Sequence, residues 1–204
     1  MTTTSAVLRD DDPRRSELQA QGWQVVAQSW GAQLDAAGAD RNRLQTLVDL
    51  ARPVGEVREL TRADVAAILA LDLATIRDYP GGVASAHPAL TSDSAQVGPE
   101  RRAFGVVSPE GDLVAMTFVD LDCDIAETDF TVVAPMGRGC CLSTAVKAAS
   151  VLALLAEGTR AFRTGGSAEN PAILAANHRV GYVVDERWLT FASPAPQDAA
   201  QSSS

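Results

Sequence analysis

Cysteine is scarce in this sequence and long apolar runs are absent, and each of these features excludes a class of protein. No run of about 18 apolar residues occurs, so we expect no membrane span. The polar, acidic start MTTTSAVLRDDDPRR lacks the apolar core of a secretory signal. The three cysteines, two of them adjacent, give neither a disulfide framework nor a zinc-ligand spacing. We therefore expect a protein of the reducing cytoplasm without a bound metal.

Acidic residues outnumber basic ones, 26 to 17, and the net charge is −9 at pH 7. Nucleic-acid binding needs a basic face, so this balance argues against it. One interpretation of the acidity is a cationic acceptor. The other is solubility together with a compositional bias, in which alanine, arginine and aspartate are plentiful and lysine is almost absent. The second is favoured, because net charge concerns solubility more than function.

Length and composition suit one globular domain with an appendage, at 204 residues of which 46% are hydrophobic. Residues 1–14 and 192–204 are small, polar and proline-bearing, which predicts disordered tails. Residues 15–54 are expected to form an extension of helix, strand and helix. In residues 55–191 a strand and a helix precede several antiparallel strands and then a strand–helix–strand–helix–strand series. This order predicts an α/β (α+β) main domain with a mixed sheet.

A faint internal repeat links the two ends of the chain. ELQAQGWQVVAQSW resembles AANHRVGYVVDERW, since both have a helix end, a glycine, an aromatic residue, a valine pair and a tryptophan. The match needs a slip of one residue. It is either chance or a relic of a tandem arrangement in which the first 50 residues copy the end of the main domain.

The segment DFTVVAPMGRGCCLSTAVK joins an apolar strand to a long helix through a short glycine turn. The strand must end at Pro135, because proline has no N–H for a sheet ladder. Gly137 and Gly139 allow close backbone approach, and Arg138 adds positive charge. The amides of residues 139–143 are the unpaired donors of a helix start, which is typical of a phosphate or pyrophosphate site. The alternative is an ordinary strand–turn–helix; no P-loop or dinucleotide-binding glycine pattern is present.

The same segment, followed by FRTGGSAENPAILAANHRVGY, resembles the acetyl-CoA-binding half of the GNAT N-acetyltransferase superfamily. The pyrophosphate motif of that family is Arg or Gln, two residues, Gly or Ala, one residue, and Gly or Ala. It falls here on residues 138–143, with Cys141 and Ser143 in place of the usual small residues. Thr164, the pair Glu-Asn at 169–170 and the pair Gly-Tyr at 181–182 match downstream positions, and the resemblance covers about residues 56–191.

The resemblance implies a GNAT fold: a mixed, mostly antiparallel central sheet flanked by helices, with splayed central strands. It also implies acetyl-CoA as the co-substrate, with the pantetheine arm between the strands DFTVV and AFRTG. The residues that it assigns to the cofactor are Thr131, Val132, Val133, Arg138, Gly139, Cys140, Cys141, Leu142, Ser143, Thr144 and Asn170.

The family transfers the acetyl group directly to an amine, which requires a general base for the amine proton. The acidic stretch DLDCDIAETD offers carboxylates whose crowding would raise their pKa values. Asp120 and Glu127 are the first candidates, ahead of Asp122 and Asp124. The alternative is a solvated acidic hairpin end.

An acid that protonates the leaving thiolate is often a tyrosine four residues before the glycine of the Gly-aromatic pair. That position is Asn177 here, which cannot donate to an anion as a phenol does. Tyr79 is a further candidate, as a gate of the acceptor pocket or a proton donor, with packing as the alternative. Cys140 and Cys141 would be reactive at a helix start, although a packing role is favoured.

The sequence therefore predicts a cytoplasmic N-acetyltransferase that uses acetyl-CoA and acts on a small-molecule amine or a peptide amine. No nucleic acid or membrane is expected as a partner, and a homodimer is one option for the assembly. Two rivals stay open: a non-catalytic acyl-CoA-binding or regulatory module, favoured by the departures at Cys141, Ser143 and Asn177, and an α/β domain without a ligand.

Overall fold

The computed structural model describes residues 4–78 and 88–194 of the chain. From the first helix onward, the helices and strands follow the predicted order. They are β1 (Ser5–Arg9), α1 (Arg14–Ala20), β2 (Gln24–Asp35), α2 (Arg41–Asp49), β3 (Glu56–Glu59), α3 (Val65–Thr75), β4 (Arg101–Val107), β5 (Leu113–Asp122), β6 (Ile125–Val133), α4 (Leu142–Glu157), β7 (Ala161–Ser167), α5 (Pro171–Val180) and β8 (Val183–Ala192). No helix among these residues is both long and apolar enough to cross a membrane.

The strands form one eight-stranded sheet in the order β1-β8-β2-β7-β6-β5-β4-β3. Every neighbouring pair is antiparallel except β6 and β7, which are parallel. The predicted mixed, mostly antiparallel sheet is thus confirmed.

Helices cover both faces of the sheet. Phe118 of β5 packs in a core cluster with Ile68 and Leu71 of α3. Its neighbour Val119 packs in another cluster with residues of α2 and α4, such as Leu44. Because successive strand residues point to opposite faces, α3 lies on one face and the α2–α4 layer on the other.

The helix ends carry the capping residues that are typical of helix starts and helix ends. Thr61 and Asp64 form a capping box ahead of α3, in which each side chain bonds the backbone of the other residue. Gly158 and Gly181 follow α4 and α5 with φ of 100° and 116°, a left-handed conformation that favours glycine.

Strands β1 and β2 of the first 54 residues belong to this sheet, and β1 corrects the predicted disordered tail. Residues 5–9, expected to lie in a disordered tail, form β1 and pair with β8.

Strand β2 lies between β7 and β8 and is hydrogen-bonded to both, so the extension contributes an interior strand. Strands β7 and β8 run parallel to each other and are connected through α5. They are not hydrogen-bonded neighbours, and β2 fills the place between them as an antiparallel strand. The strand parts of the two repeated segments therefore lie in the neighbouring strands β2 and β8. At the other end β8 continues to Ala192, and residues 195–204 of the second predicted tail lie outside the described residues.

The two central strands separate, as predicted. Strands β6 and β7 are in register at three pairs only, of which Glu127 and Arg163 are the last. Beyond that pair β6 continues to Val133 along β5, while β7 continues to Ser167 along β2. The sheet is thereby forked, and the fork opens toward the glycine turn and the start of α4.

Candidate functional site

A cavity of about 340 Å³ lies at the open end of the fork. Its lining includes every residue assigned to the cofactor by the sequence except Cys140 and Thr144. Cys140 is exposed on the turn, and Thr144 is buried inside α4. Thr75 and Asp78, from the end of α3 and the turn after it, close another side.

The turn between β6 and α4 exposes backbone donors to this cavity. Gly139 and Cys141 both have left-handed backbones, with φ of 79° and 59°, and Cys141 caps α4 without a side-chain hydrogen bond. Within the described part of the chain, no backbone carbonyl accepts from the amides of Gly139 or residues 142–144. Successive free amides at a helix start form a concave site for an anion. A Cβ added to Gly139 would meet no atom within 4 Å, so a ligand has room to approach this backbone.

Arg138 stands at the mouth of the cavity, where it is already paired. Its Nη2 atom donates to Asp78 over 2.6 Å, and its Nε atom donates to the carbonyl of Val133 over 3.4 Å. Both side chains of the ion pair are almost half exposed. An anion that enters the turn therefore meets a guanidinium held in place by Asp78 and competes with that carboxylate for it.

Asn170 lies on the opposite wall, at the start of α5. Its Oδ1 atom accepts from the amide of Ile173 over 3.2 Å, which makes it the N-cap of α5. This capping role occupies its oxygen and leaves the Nδ2 group for a ligand.

No protein-family model and no curated protein matches this sequence. Solved structures do match. A GCN5-related N-acetyltransferase from Sphaerobacter thermophilus superposes with a TM-score of 0.69 at 13% identity, covering 94% of this chain and 59% of its own. A tandem GNAT protein from the clavulanic acid biosynthesis pathway gives 0.63 at 19% identity, covering 95% of this chain and 65% of its own. A GCN5-related N-acetyltransferase from Kribbella flavida gives 0.61 at 14%, covering 94% and 68%.

This chain has the GNAT fold. The chain spans less than two thirds of the length of the first of these neighbours. At these identities the likeness concerns the fold, and the chemistry has to be argued from the residues of this chain.

In this GNAT sheet the two predicted bases, Asp120 and Glu127, are directly opposite each other on β5 and β6. Asp120 accepts two hydrogen bonds from Nη1 of Arg101, over 2.6 and 2.8 Å, while Nη2 donates to Asp129. This contact engages both oxygens of the Asp120 carboxylate. Glu127 is exposed at the last pair before the fork and has no ion-pair partner among the described residues.

Asn177, the predicted position of the acid, is buried in α5 at 1% exposure. Neither atom of its side-chain amide has a hydrogen-bond partner within the described ranges. Tyr79, the other proton-donor candidate, lies outside the described residues.

Sequence reasoning missed a buried polar group where the fork begins. Lys147 of α4 is 1% exposed, and its Nζ atom donates to Oγ1 of Thr164 over 3.1 Å. Burial lowers the pKa of Lys147 to about 7 and raises the pKa of Tyr182, whose ring centroid is 5.8 Å from Nζ. The available signal was a single charged residue in the mostly apolar run AVKAASVLALL.

Arg179 was also missed. Its Nη1 atom lies 3.3 Å from the sulfur of Cys141 and brings a second guanidinium to the glycine turn. The sequence offered no pattern for this contact, because Arg179 lies in α5 and Cys141 lies in the turn before α4, 38 positions away.

Proposed function

We propose that the protein is an acetyl-CoA-dependent N-acetyltransferase, which moves an acetyl group directly to a primary amine. The observation that carries the proposal is the cavity at the open end of the β6–β7 fork, bordered by the free amides of the turn. A forked sheet that leads into an anion site suits a long, flexible cofactor with a diphosphate at one end.

The parts of the cofactor can be assigned to parts of the cavity. The amides of residues 142–144 and Gly139 would hold the diphosphate, with Arg138 beside them. The pantetheine arm would lie along β6 at residues 131–133, where β7 has moved away and no longer borders the strand. Asn170 would donate to the cofactor through Nδ2, since its oxygen caps α5. In the described part of the chain no three metal-ligating side chains cluster, and the transfer requires none.

Glu127 is the base in this mechanism. The amine nitrogen attacks the carbonyl carbon of the thioester while Glu127 accepts the amine proton, and the C–S bond breaks to give an amide and the CoA thiolate. Glu127 ends the β6–β7 pairing and lies at the narrow end of the fork, whereas Asp120 is neutralised by Arg101. The acetyl group never resides on the protein.

The acceptor is a small-molecule or peptide amine in the cytoplasm. Three free cysteines agree with a reducing compartment. The net charge of −9 favours the approach of a cationic amine over an anionic one. A homodimer is the assembly to test first.

Calorimetric titration with CoA tests the cofactor site. Arg138→Glu should abolish CoA binding, because it places a carboxylate beside the diphosphate. Arg160→Glu is the matched control, since Arg160 is 80% exposed and only weakly paired with Asp124, at 3.7 Å. An Arg138→Glu variant that binds CoA as the wild type does would contradict the assignment, and native mass spectrometry of the purified protein gives an independent check for bound CoA.

A non-catalytic acyl-CoA-binding module is the second candidate. Two features favour it. Position 177 holds an asparagine where a tyrosine would supply the proton donor, and Asp120 is ion-paired with Arg101. A thiol-release assay with acetyl-CoA and a panel of amines separates the two functions. Binding without release of CoA, across small amines, amino acids, amino sugars and peptides, would favour the module.

A further inference from the structure

Lys147 is the only lysine of the chain, among 17 basic residues. All the other residues of this basic set are arginines. Arginine cannot lose its proton in a protein, whereas a buried lysine readily shifts its pKa and can exist in either form. Lys147 is therefore the one residue of this basic set whose side chain can donate and regain a proton.

The position of Lys147 coincides with the point where the fork begins. Thr128 and Thr164 are the first residues of β6 and β7 after the last register pair. Lys147 donates to Thr164, and the side chain of Thr128 acts on Tyr182 in the direction that lowers the pKa of its phenol. We call these four residues, Thr128, Lys147, Thr164 and Tyr182, the apex cluster. Lys147 and Tyr182 face each other across it, at 5.8 Å.

No carboxylate within residues 4–78 and 88–194 forms an ion pair with Lys147. Its 1% exposed amine has one hydrogen-bond acceptor among the described residues, the hydroxyl of Thr164. Desolvation alone accounts for its lowered pKa, and the neighbouring Tyr182 has a raised pKa and stays a neutral phenol. An anion near the apex would be the natural partner of this ammonium group.

Such an anion arises in the proposed reaction. With the diphosphate at the turn, the arm would run back along β6 from Val133 toward Thr128, five residues or about 17 Å at the rise of a strand. The thioester end of the arm would then reach toward the apex cluster, where the thiolate would be released. Asn177 offers no phenol for its protonation.

We propose that Lys147 protonates the departing CoA thiolate through the hydroxyl of Thr164, an inference that rests on the proposed function. As the C–S bond breaks, the sulfur takes the hydroxyl proton of Thr164, and Oγ1 takes a proton from the ammonium group of Lys147. Lys147 is left as a neutral amine. Glu127 releases to solvent the proton that it took from the acceptor amine, and Lys147 regains a proton from solvent. Lys147 acts through Thr164 and is a positioning residue, while Thr164 touches the sulfur.

The test uses the full chain in complex with CoA, so that no acceptor needs to be known. Thiolate absorbance in the ultraviolet gives the pKa of the bound CoA thiol. We expect Lys147→Met and Thr164→Val each to raise that pKa by about one or more, because each removes the stabilisation of the thiolate. Ser150→Ala is the matched control, since this buried hydroxyl lies one turn further along α4 and donates only to the carbonyl of Lys147.

Turnover of acetyl-CoA gives a second readout. The wild-type rate should fall as the pH rises through the pKa of Lys147, because the donor must be protonated. In Lys147→Met and Thr164→Val we expect a loss of about 100-fold in kcat and no such fall with pH, with the affinity for CoA unchanged. The double variant should lose no more than either single variant, as for residues that act as one unit.

Each outcome decides the inference. A wild-type thiol pKa in either variant, or an unchanged alkaline fall of the rate, would overturn it while the proposed function stands. Thr164→Val decides alone if Lys147→Met does not fold. A wild type that binds no CoA in the calorimetric titration overturns the proposed function itself, and the inference with it.

Discussion

Replacing Lys147 by methionine should change the pH dependence of stability in a way that the structure allows us to calculate. Burial lowers the pKa of this lysine from 10.5 to about 7. At about 1.36 kcal/mol for each pH unit, this shift corresponds to a destabilisation of about 5 kcal/mol below about pH 7, where the lysine is charged in both the folded and the unfolded chain.

The sign follows from the order of the two pKa values. Between about pH 7 and pH 10.5 the unfolded chain binds a proton at Lys147 that the folded chain lacks. The free energy of unfolding therefore rises with pH through this window, as far as this one group is concerned, and is flat below it.

Methionine has a similar shape and no charge, so Lys147→Met removes this dependence. The hydrogen bond to Thr164 is lost as well, at a cost of about 1 kcal/mol. We expect the variant to be more stable than the wild type by about 3 to 4 kcal/mol at pH 6.5, and by at most about 1 kcal/mol at pH 9.5.

Urea unfolding followed by circular dichroism at four pH values from 6.5 to 9.5 measures both proteins. Taking the difference between them cancels the other titrating groups, which the two proteins share. A difference that stays constant across this range would refute the reasoning, because Lys147 would then have an ordinary pKa in the folded state.

Two further predictions concern the proposed reaction and its cofactor. Glu127→Gln should lower kcat by at least about 100-fold with unchanged CoA affinity, whereas Asp120→Asn should cost less than about threefold, because Arg101 already neutralises that carboxylate. Steady-state kinetics check this, and equal losses would place the base elsewhere. Asp78→Asn should tighten CoA binding by about two- to fivefold in calorimetry, since it releases Arg138 from an exposed ion pair. Weaker binding would mean that Asp78 orients Arg138 for the diphosphate.

Local patterns in the chain predicted most of the elements. Alternation and turn residues locate the hairpin of β4 and β5, and the glycines after α4 and α5 mark their ends. The strand, glycine turn and helix start around Arg138 could be proposed as an anion site because all its parts are neighbours in sequence. Nearly all the residues assigned there line one cavity.

Long-range partners escaped this reasoning. The polar stretch before Arg14 looked disordered, yet it pairs with β8, because a strand at the edge of a sheet needs only one neighbour to satisfy half of its backbone groups. The sequence predicted Asp120 as a base. In the folded chain Asp120 accepts hydrogen bonds from Arg101, which lies 19 positions earlier in the sequence.

Amino-acid order settled where this chain turns, caps its helices and gathers its backbone donors, since these depend on residues within a few positions of each other. The folded arrangement alone settled that β2 enters the sheet between β7 and β8, and that the only lysine is enclosed where β6 and β7 part. The physical reason is that burial and strand order arise from contacts between distant segments. The pKa of a side chain then follows from that enclosure, which no local pattern reports.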